Sequence, residues 1–189
     1  MEDKRVFLAI PISPTEEYVT VYERLKHRLR MDMISWIEPG TAHLTLKFFG
    51  KTSDARIESI IKSIRKGISE QQGFDFVIDK MGAFGSSHSP KVIWLGVENS
   101  EKIDDLHQQI MKHIRGIGYF PDPGNFVPHI TLARVKKCDD KQWFWKSLEE
   151  HQNKVIQPVS VDKIVLYESI LQPKGAIHNV IEEFPLKSY

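Results

Sequence analysis

Two histidine–threonine pairs are the residues in this chain best suited to proton-transfer chemistry. His43 and Thr45 lie in the run His43, Leu44, Thr45, Leu46, and the pattern returns 86 residues later as His129, Ile130, Thr131, Leu132. In a strand, residues i and i+2 share a face. Each run therefore presents one imidazole and one hydroxyl on one side and two apolar side chains on the other. Imidazole, with a pKa of about 6.5, can give or take a proton near neutral pH. Cleaving a phosphodiester needs a base for the attacking oxygen, an acid for the leaving one, and donors for the non-bridging oxygens. In-line displacement puts nucleophile and leaving group on opposite sides of phosphorus, so the two histidines should come from opposite walls of a cleft. The residues alone leave open which histidine is the acid and which the base.

A metal site is the competing use of paired histidines. Zinc takes three or four ligands, often His-x-x-x-His or cysteines. Here threonine, a poor zinc ligand, sits two residues on and no carboxylate accompanies either motif, so neither metal nor other cofactor is expected. His27, His107 and His113 fall among charged helical neighbours, His88 lies in a Gly/Ser-rich segment, and His151 and His178 have no recurring context. The lone Cys138 cannot form an internal disulfide, which fits a reducing compartment, and reads as a surface thiol.

Placing two motif strands face to face requires a scaffold, and 189 residues suffice for one two-lobed domain over 1–189. With 26 Lys+Arg against 25 Asp+Glu the net charge is +1, so no global basic field advertises a long duplex. A nucleic-acid end is the better match. No run approaches the roughly 20 apolar residues of a membrane span. The apolar stretch 6–10 is too short for a secretory leader and meets Pro11 at once. A cytoplasmic monomer with no membrane partner is expected.

Alternation and helical spacing divide the chain. Residues 6–12 read as a buried strand. A helix starts at Ser13, Pro14, Thr15 and Glu16 and carries Tyr18, Val21, Leu25 and Leu29 on one face. The first motif strand occupies 42–50. Ser53 and Asp54 cap a helix with Ile57, Ile60, Ile61 and Ile64 inward. Strands follow at 74–78 and 91–97, with a loop predicted over 82–90. Ile103, Leu106, Ile110 and Ile114 mark a third helix, and 120–128 is a Pro-rich loop feeding the second motif strand. A short helix over 142–150, strands over 159–167 and 177–184, and a turn at 173–175 complete the chain. The expectation is α+β: a bilobed arrangement of two pseudo-symmetric antiparallel sheets, helices outside, with a central cleft.

The twin motif resembles the signature of the two-histidine (2H) phosphoesterases. Within them the chain is similar to the bacterial RNA 2′,3′-cyclic phosphodiesterases, also called 2′-5′ RNA ligases. The runs 6–11, 43–50, 92–97, 128–134 and 165–169 follow that family in order. The resemblance implies hydrolysis of an RNA-terminal 2′,3′-cyclic phosphate to a 2′-phosphate, without metal. It implies His43 as proton donor to the leaving 3′ oxygen, His129 as the acceptor that activates water, and Thr45 and Thr131 as phosphate donors. The expected partner is an RNA 3′ end or small nucleotide carrying the cyclic phosphate.

Arg134 ends the second motif as the family's arginine does, and a guanidinium suits phosphate. Strict alternation, however, puts residue 134 opposite His129, so either the strand bulges before it or Arg134 makes a structural ion pair. The same parity puts Lys47 on the His43 face. Phe7, Phe48, Phe84, Phe126 and Tyr167 are candidate stacking aromatics, none singled out. Two other readings are a 2H enzyme for a small cyclic nucleotide and an RNA-end binding protein without turnover.

Overall fold

The computed structural model describes residues 3–98, 100–122, 124–151, 154–172 and 175–188. Its elements run β1 (Lys4–Pro11), α1 (Glu16–Arg28), β2 (Met33–Trp36), β3 (His43–Thr52), α2 (Asp54–Gly67), β4 (Phe74–Ser86), β5 (Ser89–Glu98), α3 (Glu101–Arg115), β6 (His129–Lys137), α4 (Lys141–Glu149), β7 (Gln157–Val161), β8 (Lys163–Gln172) and β9 (Gly175–Pro185).

The helices form where the apolar spacing says they should. α1 buries Tyr18, Val21, Tyr22 and Leu25, and Thr15 caps it by accepting from the Tyr18 amide. α2 buries Ile57, Ile60 and Ile64, and α3 buries Ile103, Leu106, Ile110, Met111 and Ile114. α2 packs on α3 and α1 on α4. Their apolar faces join the sheet residues Leu8, Ile10, Leu44, Leu46, Leu95, Ile130 and Leu132 in one continuous core.

The named strands pair antiparallel in one sheet of order β7-β4-β5-β6-β3-β1-β8-β9, with β2 added on β6. The two expected sheets are the halves of this one, β7-β4-β5-β6 and β3-β1-β8-β9. Among the described residues the halves meet at a single registered pair, Leu44 with Ile130. The repeat extends to topology: β1-α1-β3-α2 has its counterpart in β5-α3-β6-α4. The lead-in segments cross over, since β2, which precedes β3, pairs with β6.

Two expectations need correction. The loop predicted over 82–90 is instead the end of a long β4–β5 hairpin, with Gly82 opposite Trp94 and Phe84 opposite Val92. Its glycines signal packing: a Cβ at Gly82 would come within 2.5 Å of the Trp94 indole, which covers that position. The strand predicted over 159–167 is two strands broken at Asp162. β7 pairs with β4 and β8 with β1, the first and the last but one in the strand order. A one-residue link between such distant strands requires the sheet to curl. Of the turn expected at 173–175, Pro173 and Lys174 lie outside the described residues.

Candidate active site

Both motif strands carry the same irregularity at the same place. On β1, Ala9 faces Thr45 and Leu8 faces Lys47, so Leu46 is an extra residue in β3. On β5, Trp94 faces Thr131 and Ile93 faces Ala133, so Leu132 is the extra residue in β6. A bulge of this kind shifts side-chain parity by one. Leu46 with Lys47, and Leu132 with Ala133, are consecutive buried pairs. Beyond them, Phe48 and Arg134 return to the faces of their histidines, Phe48 across from Phe7 and Arg134 across from Val92. Arg134 thus lies on the face of His129 and Thr131, exposed and unpaired by any carboxylate among the described residues.

Lys47 is the corresponding correction. Parity assigned it to the His43 face, but the bulge turns it inward, where it is only 5% exposed. Its ammonium donates to the Phe120 carbonyl at 3.0 Å and the Asp122 carboxylate at 2.6 Å. It therefore anchors the segment leading into the second motif.

The seam brings the two motifs together. Leu44 opposes Ile130 with antiparallel register. The same antiparallel register continued by one residue in each direction puts His43 across from Thr131 and Thr45 across from His129. All four occupy the face opposite the helices.

The imidazoles are oriented identically. His43 Nδ1–H donates to the Thr41 carbonyl at 2.8 Å, and His129 Nδ1–H to the Val127 carbonyl at 2.7 Å. A carbonyl can only accept, so both neutral rings carry their proton on Nδ1, leaving Nε2 as the basic atom. Their surroundings differ. His43 packs on Phe7 (ring centroids 5.0 Å apart) and edge-on to His178 (5.2 Å). His129 meets Phe84 edge-on at 4.9 Å. Burial pushes the His43 pKa down, the Thr41 carbonyl partly offsets this, and the nearby His129 lowers it further.

The sequence reading missed His178. β9 carries it, and it packs against Phe7 as well as His43. Burial, with His43 beside it, pushes its pKa down to about 4. It lies outside the repeated motif, so its sequence context gave it no role. Of the candidate aromatics, Phe7, Phe48, Phe84 and Tyr167 share the histidine face, whereas Phe126 stacks on His107 at 3.9 Å, away from it. A cavity of about 470 Å³ between α1 and α4, lined by Arg28, Glu150 and His151 among others, includes no motif residue.

A sequence profile described as the 2′-5′ RNA ligase superfamily matches residues 13–171. The chain belongs to this superfamily. An RNA 2′,3′-cyclic phosphodiesterase of Thermotoga maritima is 34% identical over 149 residues, covering 79% of this chain and 78% of its own. Among solved structures, TT0787 of Thermus thermophilus superposes with a TM-score of 0.78 at 21% identity, covering 97% and 98% of the two chains. E. coli LigT in complex with 3′-AMP superposes with a TM-score of 0.71 at 20% identity, also over 97% and 98%. These likenesses establish the superfamily fold for the curled sheet described above.

Proposed function

We propose that this chain hydrolyses RNA-terminal 2′,3′-cyclic phosphates to 2′-phosphomonoesters by general acid–base catalysis with two histidines and no metal. The observation that carries the reading is the seam, where the Leu44–Ile130 pair brings the two motifs side by side and His129 lies near enough to lower the His43 pKa. The name of the Thermotoga relative points to the same reaction. Among the described residues no group of three His, Cys, Asp or Glu side chains is arranged to hold a metal ion.

The cyclic phosphate sits between the two motifs. Thr45 and Thr131 donate hydroxyl hydrogen bonds to its non-bridging oxygens, and Arg134 supplies positive charge on the same face. His129, through Nε2, takes a proton from water as its oxygen bonds to phosphorus. The bond to the 3′ oxygen breaks, and His43 Nε2–H protonates it. The product has a 2′-phosphate and a 3′-hydroxyl. His43 must therefore start protonated, which its burial opposes in the empty site and the bound anion favours.

The test is hydrolysis of a short RNA ending in a 2′,3′-cyclic phosphate, with EDTA present. Wild type should release a 2′-phosphate, while His43→Ala and His129→Ala should remain folded and lose turnover. Turnover that requires added metal, or that survives both substitutions, overturns the mechanism.

A further inference from the structure

The histidine face does not end at the motifs. Along β1 and β3 the same-face pairs run Pro11 with His43, Ala9 with Thr45, Phe7 with Phe48, and Arg5 with Lys51. A second register shift, at Phe49, restores Lys51 to this face. Arg5 and Lys51 thus stand directly opposite each other, both exposed. Like charges facing across a strand pair are destabilising. Among the described residues neither has an ion pair or hydrogen bond. Lys4, one residue away but on the helix side, pairs with Asp54 at 3.0 Å.

β1 is flanked by β3 along its length and by β8 from Val6 onward. Among the described residues no carboxylate of the adjoining strand neutralises the pair. Glu168 faces Val6, on the helix side, and the β1–β8 register continued by one residue puts Ser169 beside Arg5. The row crossing this end of the face is then Lys51, Arg5, Ser169 and His178, the last two a registered pair. It offers two cations, a hydroxyl and an imidazole, with no acid.

His178 leans back to within 5.2 Å of the His43 ring, but Arg5 lies four residues of β1 from the Ala9–Thr45 pair, roughly 13 Å along an extended strand. Phe48, 57% exposed, stands between. A single nucleotide with its phosphate at the histidines leaves Arg5 and Lys51 unfilled, whereas a continuing strand crosses Phe48 and brings its next backbone phosphates to them.

We propose that Arg5 and Lys51 form a second anion subsite that holds a backbone phosphate upstream of the reacting end, making single-stranded oligoribonucleotides the preferred substrates over mononucleotides. The proposal rests on the phosphodiesterase reading for its catalytic consequence but not for its binding consequence.

Two measurements test it on wild type and the Arg5→Gln/Lys51→Gln double variant. The first is anisotropy of a fluorescent RNA pentamer ending in a 3′-phosphate, titrated at several salt concentrations. The double variant should bind about tenfold more weakly, as when one charge-assisted hydrogen bond is removed. Its log K against log salt should be shallower by about 0.7 for each phosphate no longer neutralised. The second is the ratio of kcat/KM for a cyclic-phosphate pentamer to that for a cyclic mononucleotide. The ratio should exceed one in wild type and fall in the double variant. Equal pentamer binding by both proteins, or an unchanged ratio, overturns the subsite. If wild type hydrolyses neither substrate, the enzymatic reading falls, and anisotropy alone decides the subsite.

Discussion

Phe48 and Arg134 occupy the same position of the internal repeat, each carried onto its histidine's face by a bulge two residues earlier. The backbone of the two halves is matched there, but the chemistry is not. One half offers an aromatic ring beside its histidine and threonine and the other a guanidinium. The repeat thus sets a symmetric pair of histidines in an asymmetric setting, which under the proposed reaction would distinguish one end of a substrate from the other.

The role proposed for Arg134 is contact with phosphate rather than a structural ion pair. Arg134→Gln should raise KM for a cyclic-phosphate substrate about tenfold, in keeping with the loss of one hydrogen bond to a charged group. Arg134→Lys should fall between, because it keeps the charge and loses the planar fork. Steady-state kinetics on the three proteins would check this. An unchanged KM in Arg134→Gln removes the residue from the site.

The role of His43 can be isolated with its partner removed. In His129→Gln the residual single-turnover rate should depend on one imidazole. As proton donor, His43 must be protonated, so the kcat/KM of this variant should fall as pH rises through a free-enzyme pKa below 6.5. A rate that climbs with pH across the same range would make His43 the base and exchange the two roles.

His178 should leave a mark on stability rather than on the chemical step. Its pKa is about 4 in the folded chain against about 6.5 unfolded, so between these values the unfolded state binds a proton that the folded state refuses. The stability it contributes is present above pH 6.5 and lost as pH falls toward 4. Urea melts across this window should show a shallower pH slope for His178→Phe than for wild type. Equal slopes would place the His178 pKa near its ordinary value.

Gly82 is expected to tolerate no side chain. Its missing Cβ is the space the Trp94 indole fills, and that indole is rigid. Gly82→Ala should cost about 1–3 kcal/mol of unfolding free energy, the usual penalty of overpacking. Because Trp94 faces Thr131, substrate KM should rise as well. Denaturant unfolding and kinetics on one preparation would test both.

The sequence disclosed the parts that are periodic or repeated. Apolar spacing announced α1, α2 and α3, and the second His-x-Thr pointed to the candidate site because such a duplication is improbable by chance. What stayed hidden was whatever depends on a single residue's geometry. Parity assigned Lys47 and Arg134 to the wrong faces because nothing in the types of Leu46 and Leu132 announces a bulge. Asp162 looked like an ordinary strand residue, although it separates the first and the last but one strands in the sheet order. Gly82 read as a loop because the indole that needs its space is twelve residues away.

Asp162 carries a consequence for how the two halves are held. One residue joins β7, the outermost strand of one half, to β8 in the other, and the Asp162 carbonyl also accepts from the Leu186 amide. Nearby, the Gly73 amide donates to the Lys187 carbonyl and the Lys187 amide to that of Gln71, so the lead-in to β4 is laced to the segment after β9. The halves are therefore clasped at the rear and joined at the front where Leu44 meets Ile130. The spacing of the two halves is thus fixed by backbone at two separate places, only one of which is next to the histidines.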